Sequence, residues 1–411
     1  MNCRYLICLA VSFIPAGAQT LASLVNETLR NNREILAAQK KYEAARQRPA
    51  QASSLPDPTL SIGSASNGPP WPGAGLGANP TSNVGFAVSQ QVPYPGKRKL
   101  RGEIAQKEAD AEFEAYLAVR LNVIERLKQA YHELHHAQVS IESVKRSQDL
   151  LRTILQISEA RYAVGRASQQ DVFKAQTQFS IFEAQLVRYE QELASKEIEI
   201  NALLDRRPGG HIEVPEEMSA GELKASLPEL LSHARTQSPA LAREQKLVER
   251  TDLSANLARK DYYPDYTVSG GYFNQGSMAP MWQLRVDVQI PAYFWRKQRA
   301  AVAEQAFAAS DARHSYEAAD VEIEARIREE YTVAETARKL ADLYKKSVSP
   351  EARLALESSL AGYETGALDF LPVFSNFMNV VDYELAHHEQ IMQFHVALAR
   401  LEEMTGMELE P

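Results

Sequence analysis

The sequence predicts a mainly helical, internally duplicated chain that also carries membrane β-strands. Three observations lead to this fold class. Two stretches of about 65 residues contain almost no glycine or proline, which is typical of very long helices. Short segments alternate polar and apolar residues, which is typical of strands with two different faces. Finally, a series of landmarks recurs about 200 residues further along the chain, which indicates a repeat.

The N-terminus predicts export from the cytoplasm. Arg4 precedes the apolar run YLICLAVSFI, and Pro15 and the small residues A-G-A follow it. This pattern predicts a signal peptide over residues 1–18. Because Cys3 and Cys8 both lie inside it, the mature chain would contain no disulfide. The net charge of −8 argues against a nucleic-acid partner.

The repeat is clearest where RYAVGRASQQDVF, residues 161–173, aligns with GYETGALDFLPVF, residues 362–374. Proline and tyrosine landmarks recur in the same order at similar shifts, so the sequence predicts a tandem duplication. The predicted organisation is a signal peptide (1–18), a first repeat (19–204), a linker (205–226), a second repeat (227–404) and a C-terminal tail (405–411). Each repeat is expected to hold a short helix, two strands and a long helical hairpin.

The segment WQLRVDVQIP, Trp282–Pro291, alternates without error. Its length is about what a tilted strand needs to cross a bilayer, although a half-buried strand of a soluble sheet fits the same pattern. Four polar side chains are predicted to share one face and to line a water-filled barrel lumen: Gln283, Arg285, Asp287 and Gln289.

Two predicted strands per repeat give four per chain: TLSIGSA, NVGFAVSQQVP, YTVSGGYF and WQLRVDVQI. Four strands cannot close a barrel, and open edges in hydrocarbon leave backbone groups without partners. Two copies of the chain would give eight strands around a filled interior, whereas three would give twelve around a lumen. The charged inner face favours three or more copies.

The long helices show heptad spacing, which is typical of helices that pack in coiled coils. Gly165 and Gly366 are predicted to end one helix of each hairpin in the left-handed conformation. Ser168 and Asp171 form a predicted capping box for the next helix. Pro350 is predicted to interrupt the long helix of the second repeat.

Together, the signal peptide, the duplicated strand pairs, the duplicated hairpins and the RYAVG and GYETG turns resemble the outer-membrane efflux protein family, the TolC-like exit ducts. The resemblance covers the chain from Leu21 to about Met404, and it is closer to the heavy-metal branch than to the drug or type I secretion branches. It implies a homotrimer in the outer membrane of a Gram-negative bacterium, with a twelve-stranded barrel continuous with a twelve-helix periplasmic tunnel.

The resemblance also implies a function: a passive exit duct, supplied by an inner-membrane transporter and a periplasmic adaptor, without a cofactor. The hairpin tips are then the adaptor-docking and gating region. The residues carried over to that role are Arg161, Tyr162, Gly165, Asp171, Tyr363, Gly366 and Asp369. For Asp171, helix capping is the favoured role and pore constriction the alternative. An acidic constriction at the second tip is not expected, because DFLPVFSN offers Asp369 alone.

Two alternatives from other classes remain. The segment HELHH, His132–His136, satisfies the H-E-x-x-H zinc-protease pattern, with Glu133 as its base. A solvated helix face is the favoured interpretation of these histidines, because no cleft is expected there, and metal contact in a transport path is the next. His387, His388 and His395 form a second cluster, in which His387 is expected to be packed. The second alternative is a periplasmic coiled-coil scaffold without channel activity.

Overall fold

The computed structural model describes residues 20–409, so the predicted signal peptide lies outside the described residues. Helices dominate this part of the chain, and no helix in it is both long enough and apolar enough to cross a membrane. In chain order the elements are α1 (Leu21–Asn31), α2 (Arg33–Ala45), α3 (Arg48–Ser53), β1 (Thr59–Ala65), β2 (Asn83–Val92), α4 (Lys97–Ala163), α5 (Gln169–Leu203), α6 (Leu227–Gln237), α7 (Pro239–Lys260), β3 (Asp265–Asn274), β4 (Met281–Gln289), α8 (Lys297–Leu343), a π-helical turn (Tyr344–Val348), α9 (Ser349–Thr365) and α10 (Phe370–Thr405).

The four predicted strands are confirmed, with ends that move by one residue at most. They form one antiparallel sheet in the order β1-β2-β3-β4. A single row across the sheet fixes the register: Ile62 lies opposite Phe86, Phe86 opposite Tyr272, and Tyr272 opposite Trp282. The strands of the two predicted repeats therefore meet at the β2–β3 pair, and β1 and β4 form the edges of the sheet.

The predicted giant helices are also confirmed. Helix α4 has 67 residues. In the second half, α8, the π-helical turn and α9 continue from one to the next without a loop. The predicted interruption at Pro350 takes the form of that π-helical turn, which ends just before the proline. Because proline has no N–H to donate, the turn before it accommodates a wider hydrogen-bonding pattern.

The predicted single opening helices are wrong, because each is broken. Asn32 separates α1 from α2: its side-chain oxygen accepts hydrogen bonds from the Glu34 and Ile35 N–H groups, at 2.9 and 3.1 Å. Its side-chain amide also donates to the Leu203 carbonyl, which ties this break to the end of α5. In the second half, Ser238 and Pro239 separate α6 from α7.

The chain forms two compact units. The first contains the chain up to Leu36, Val119–His233 and the chain from Ala325 onward. The second contains Ala37–Ala118 and Ala234–Glu324, and so holds the sheet. The repeat boundaries at 19–204 and 227–404 stay a prediction.

In the first unit, the hairpin helices α4, α5, α9 and α10 contribute to one apolar cluster. Phe182 and Phe377 are fully buried there and meet edge to face, with ring centroids 6.0 Å apart. The predicted heptad seam of α5 is buried or half-buried along its length, from Phe179 to Leu203. The seam therefore does pack against partner helices, as its spacing predicts.

In the second unit, Lys97 fixes the sheet to the helices. It is 3% exposed, and its ammonium group lies 3.0 Å from Asp265 at the start of β3 and 3.2 Å from Asp261 just after α7. It also donates to the Tyr263 carbonyl. A buried ammonium group is tolerated only when carboxylates and carbonyls surround it, so this contact fixes the start of α4 beside the start of β3.

Candidate functional site

The sheet has one apolar and one polar face, and both are largely exposed. The register places every predicted apolar row on the same side, and Ile62, Trp282 and Leu284 there are 77–81% exposed. The other members of this apolar face are Leu60, Val84, Phe86, Val88, Val92, Tyr266, Val268, Tyr272, Val286 and Val288. Large apolar side chains exposed in such a continuous patch mark a surface that meets lipid or another protein.

The opposite face carries the polar side chains. As the alternation predicts, this face carries Gln283, Arg285, Asp287 and Gln289. These residues belong to β4, which pairs with β3, and their side chains do not pack into a core. The guanidinium group of Arg285 lies 2.6 Å from the carboxylate of Asp287. Both side chains are about half exposed, so the pair is solvated.

The hairpin turns have the predicted backbone geometry. Gly165 and Gly366 adopt φ values of 73° and 84°, the left-handed region that side chains with a Cβ rarely occupy. Ser168 caps α5, and the capping box with Asp171 is complete. The favoured role of Asp171 is therefore present in the structure. Asp369 occupies the N-cap position of α10 but makes no side-chain capping bond.

Arg161 joins the two tips. Its guanidinium group donates to the Tyr363 carbonyl and lies 4.3 Å from the centre of the Tyr363 ring. The Tyr363 hydroxyl in turn donates to Ser158 Oγ at 3.0 Å, and Ser158 donates to the Ile154 carbonyl. The last turn of α4 is thus tied to the last turn of α9 by a cation–π contact and two hydrogen bonds.

The two repeat-related tyrosines have different surroundings, although the sequence pairs them. Tyr363 is 1% exposed, whereas Tyr162 is 46% exposed. The Tyr363 ring lies beneath the Arg161 guanidinium group and beside Phe370, and these contacts bury it. At the position before the tyrosine, the first tip has Arg161, which reaches across, whereas the second has Gly362. A Cβ at Gly362 would lie 2.8 Å from the Leu368 side chain, so glycine permits the second turn to close.

The histidines of α4 and α10 do not form a solvated face. His132 and His135 are 2% and 5% exposed, so that prediction is wrong for them. His132 stacks on His395, with ring centroids 4.6 Å apart. In its middle section, helix α4 is buried on most sides. Helix α10 and the linker lie against the faces of α4 that are outside its heptad seam.

Burial lowers the pKa of four of the histidines, His135, His136, His387 and His388. Desolvation is the largest cause that lowers the pKa of His135 to about 4, and the His132 ring is the second. The Glu216 carbonyl opposes this lowering of the pKa, whereas His395 and His136 contribute to it. Desolvation, followed by His387, His135, His136 and Arg146, lowers the pKa of His388 to about 4. Desolvation also lowers the pKa of His136 and His387, and His387 is half-buried as expected.

The zinc-protease interpretation receives no support. The Glu133 carboxylate, the general base of that pattern, lies 2.5 Å from the Lys196 ammonium group and accepts a hydrogen bond from Gln129. Among residues 20–409, no group of three or more His, Cys, Asp or Glu side chains is placed to hold a metal ion.

Two residues that form these contacts, Ser158 and Lys97, are not predicted from the sequence. Ser158 lies in a helix of mixed composition, and nothing in its neighbours singles it out. Lys97 belongs to the basic cluster PGKRKLR, but the sequence does not distinguish the buried lysine from its exposed neighbours. Both depend on contacts with residues more than 160 positions away.

Solved structures with this architecture are outer-membrane proteins. The chain superimposes on CusC with a TM-score of 0.80 and 15% identity, over 94% of this chain and 92% of that one. It superimposes on VceC from Vibrio cholerae with a TM-score of 0.80 and 18% identity, over 95% and 97%. With its two-faced four-stranded sheet and long helical hairpins, the chain therefore shares the fold of these two proteins.

The sequence comparison identifies the family. The model of the outer membrane efflux protein family matches residues 24–206 and 230–406. The chain therefore belongs to the outer membrane efflux protein family. It is 21% identical to the cobalt-zinc-cadmium resistance protein CzcC of Cupriavidus metallidurans, over 95% of this chain and 91% of that one. It is 24% identical to the outer membrane protein TolC of Vibrio cholerae, over 89% and 85%.

Replacing the buried tyrosine tests the link between the tips. Tyr363→Phe removes the hydroxyl that donates to Ser158 and is expected to lower the free energy of unfolding by about 1 kcal/mol. Tyr162→Phe, at the repeat-related exposed position, is the matched control and is expected to leave it unchanged. Thermal unfolding followed by circular dichroism measures both. Equal losses from the two variants would contradict the asymmetry described above.

The buried histidines predict acid sensitivity. Because the folded-state pKa of His135 is depressed, the unfolded chain binds a proton first as the pH falls below about 6.5. The contribution of His135 to the free energy of unfolding is therefore fully present above that pH. It is lost progressively down to about pH 4, by on the order of 3 kcal/mol. Unfolding midpoints measured from pH 7.5 to 4.5 should fall, and His135→Gln should flatten the slope. His314→Gln, at an exposed position, should not; an unchanged slope in His135→Gln refutes the argument.

Proposed function

We propose that this chain is the outer-membrane channel of a tripartite efflux pump. Three copies close a twelve-stranded barrel that continues into a twelve-helix periplasmic tunnel. An inner-membrane transporter delivers the substrate, a periplasmic adaptor connects it to the channel, and the channel itself is a passive exit duct. Membership of the outer membrane efflux protein family supports this function.

The observation that carries the proposal is the two-faced sheet with two open edges. Its apolar face suits hydrocarbon, and its polar face, with Arg285 and Asp287, suits water. In hydrocarbon, unpaired backbone groups on β1 and β4 cost several kcal/mol each, so the edges require partners. Pairing β1 of one copy with β4 of the next satisfies both edges without any new element, and closure then depends only on the number of copies.

The tips are proposed as the docking and gating region. Tyr162, Gly165, Gly366 and Asp369 are exposed at the two turns and are available to an adaptor. Arg161 holds the end of α4 against Tyr363 at the end of α9, and this contact is proposed to favour the closed state. Opening then requires the cation–π contact and the hydrogen bond to be broken, which is within reach of adaptor binding.

A metal cation is the proposed substrate. The support is the similarity to CzcC, a cobalt-zinc-cadmium resistance protein. The channel is proposed to conduct the cation without a fixed site of its own, consistent with the solvated Arg285–Asp287 pair on the polar face of the sheet. No catalytic role is proposed. The scaffold alternative leaves the exposed apolar face without a role.

Planar bilayer recordings test the channel and its gate together. The purified protein is expected to extract as a detergent-dependent trimer and to conduct ions. Arg161→Ala should raise the open probability several-fold, because it removes the contact between the tips. Arg166→Ala, an exposed arginine of the same turn, is the matched control and should behave as the parent. A monomer that is soluble without detergent and does not conduct would favour the scaffold instead.

Growth of a deletion strain tests the substrate class. Loss of the gene is expected to lower the inhibitory concentrations of zinc, cobalt and cadmium salts several-fold, and a plasmid copy should restore them. The inhibitory concentration of an apolar drug should change little. A strain that becomes sensitive to the drug but not to the metals would refute the metal cargo and leave the channel standing.

A further inference from the structure

The loop between β1 and β2, residues 66–82, forms a pocket on the apolar face of the sheet. We call it the loop pocket. Its volume is about 820 Å³ and it is open on one side. The floor is formed by Ile62, Phe86 and Tyr272, which belong to the same row across three strands. Its volume lies in the range of pockets that hold a small organic ligand.

The loop forms the opposite wall, where Pro72 and Leu76 are its apolar side chains. Of all the lining side chains, those of Tyr272 and Asn274 alone carry polar atoms. Loop and floor together therefore line an almost wholly apolar, open pocket at the end of the strands nearest the loop.

The loop is held in place by hydrogen bonds, so the pocket is a built feature. Gly77 N–H donates to the Gln275 carbonyl at 2.9 Å, and the Gln275 side chain donates to the Pro80 carbonyl at 2.9 Å. Ser66 Oγ donates to the Ala74 carbonyl at 2.9 Å. These bonds join the loop to the β3–β4 turn and to itself, and they keep it from collapsing onto the strands.

We propose that the loop pocket binds one acyl chain of an outer-membrane lipid. The proposal rests on the proposed function, because it requires the apolar face of the sheet to face the bilayer. The pocket is continuous with that face through Leu60 and Ile62, so a chain enters it without leaving hydrocarbon. The lipid then fills an apolar space that water would occupy only at a cost.

The composition of the loop favours hydrocarbon over a headgroup. Residues 66–82 contain no Lys, Arg, Asp or Glu, so the loop has no cation to pair with a lipid phosphate. Trp71, which is 69% exposed in the same loop, is the kind of side chain that lies at a membrane interface, with its ring in the apolar region and its N–H near water.

Strand geometry favours a lipid over a neighbouring copy of the chain. A strand that pairs with β1 lies in the plane of the sheet, and its side chains stand beside those of β1. The floor of the pocket, however, extends to Tyr272 on β3, which is two strand spacings, about 10 Å, further on. An occupant must therefore enter from the medium that covers the apolar face.

Site-specific photocrosslinking tests the proposal. p-Benzoylphenylalanine is introduced at Leu76, inside the pocket, or at Ala78, which is exposed on the same loop and does not line it. The full-length protein is reconstituted in vesicles of phosphatidylethanolamine and phosphatidylglycerol and irradiated. Mass spectrometry is expected to find several-fold more lipid adduct at position 76 than at position 78. Equal yields, or an adduct at position 76 with a peptide of a neighbouring subunit, overturn the proposal.

A second measurement needs no photolabel, so it tests the proposal even if a photolabelled variant fails to fold. Native mass spectrometry of the unmodified protein in mild detergent should find retained lipid. Leu76→Asp should reduce this retention several-fold, and Ala78→Asp should not; equal retention overturns the proposal. Bilayer conductance distinguishes failure of the channel function from failure of lipid binding. A parent protein that does not conduct refutes the proposed function, whereas a conducting parent without pocket-bound lipid refutes only lipid binding in the loop pocket.

Discussion

Backbone hydrogen bonding at the edges of the sheet is the constraint on which the rest depends. The β1 and β4 edges of a four-stranded sheet are open, and the sheet also presents a continuous apolar face. Water satisfies open edges, but hydrocarbon does not. In the proposed membrane location, the two edges therefore require partners, and other copies of the chain are the proposed source. The proposed trimer, the water-lined polar face and the lipid-facing loop pocket all follow from that requirement.

The two hairpins use similar turn chemistry but differ in sequence and in the surroundings of their tyrosines. Both turns use a left-handed glycine, at Gly165 and Gly366. At the position before the tyrosine, the first tip has Arg161, whose side chain extends to Tyr363 of the second tip. The second tip has Gly362, which lies close to the Leu368 side chain. Tyr363 is buried against Ser158, while its counterpart remains exposed.

The buried histidines illustrate a different balance. Desolvation outweighs the effect of the carboxylates of Glu192, Glu389 and Glu133, so the pKa of His136 lies below its usual value. The His132 and His395 rings stack on each other in the same region. The same burial makes the core of the first unit sensitive to acid. The cluster therefore contributes to the packing of the helices, and the Glu133 carboxylate beside it is paired with Lys196.

The sequence by itself determined the elements and their chemistry: the strands with their two faces, the long helices, the glycine turns and the Ser168–Asp171 capping box. These depend on residues near one another in the chain, whose period and capping bonds are local. Only the tertiary structure decided which side chains meet. It buried Lys97 rather than its basic neighbours, paired Tyr363 with Ser158, and broke the opening helix at Asn32 through a bond to Leu203. Those choices depend on contacts between distant segments, and the burial that such contacts create cannot be read from local pattern.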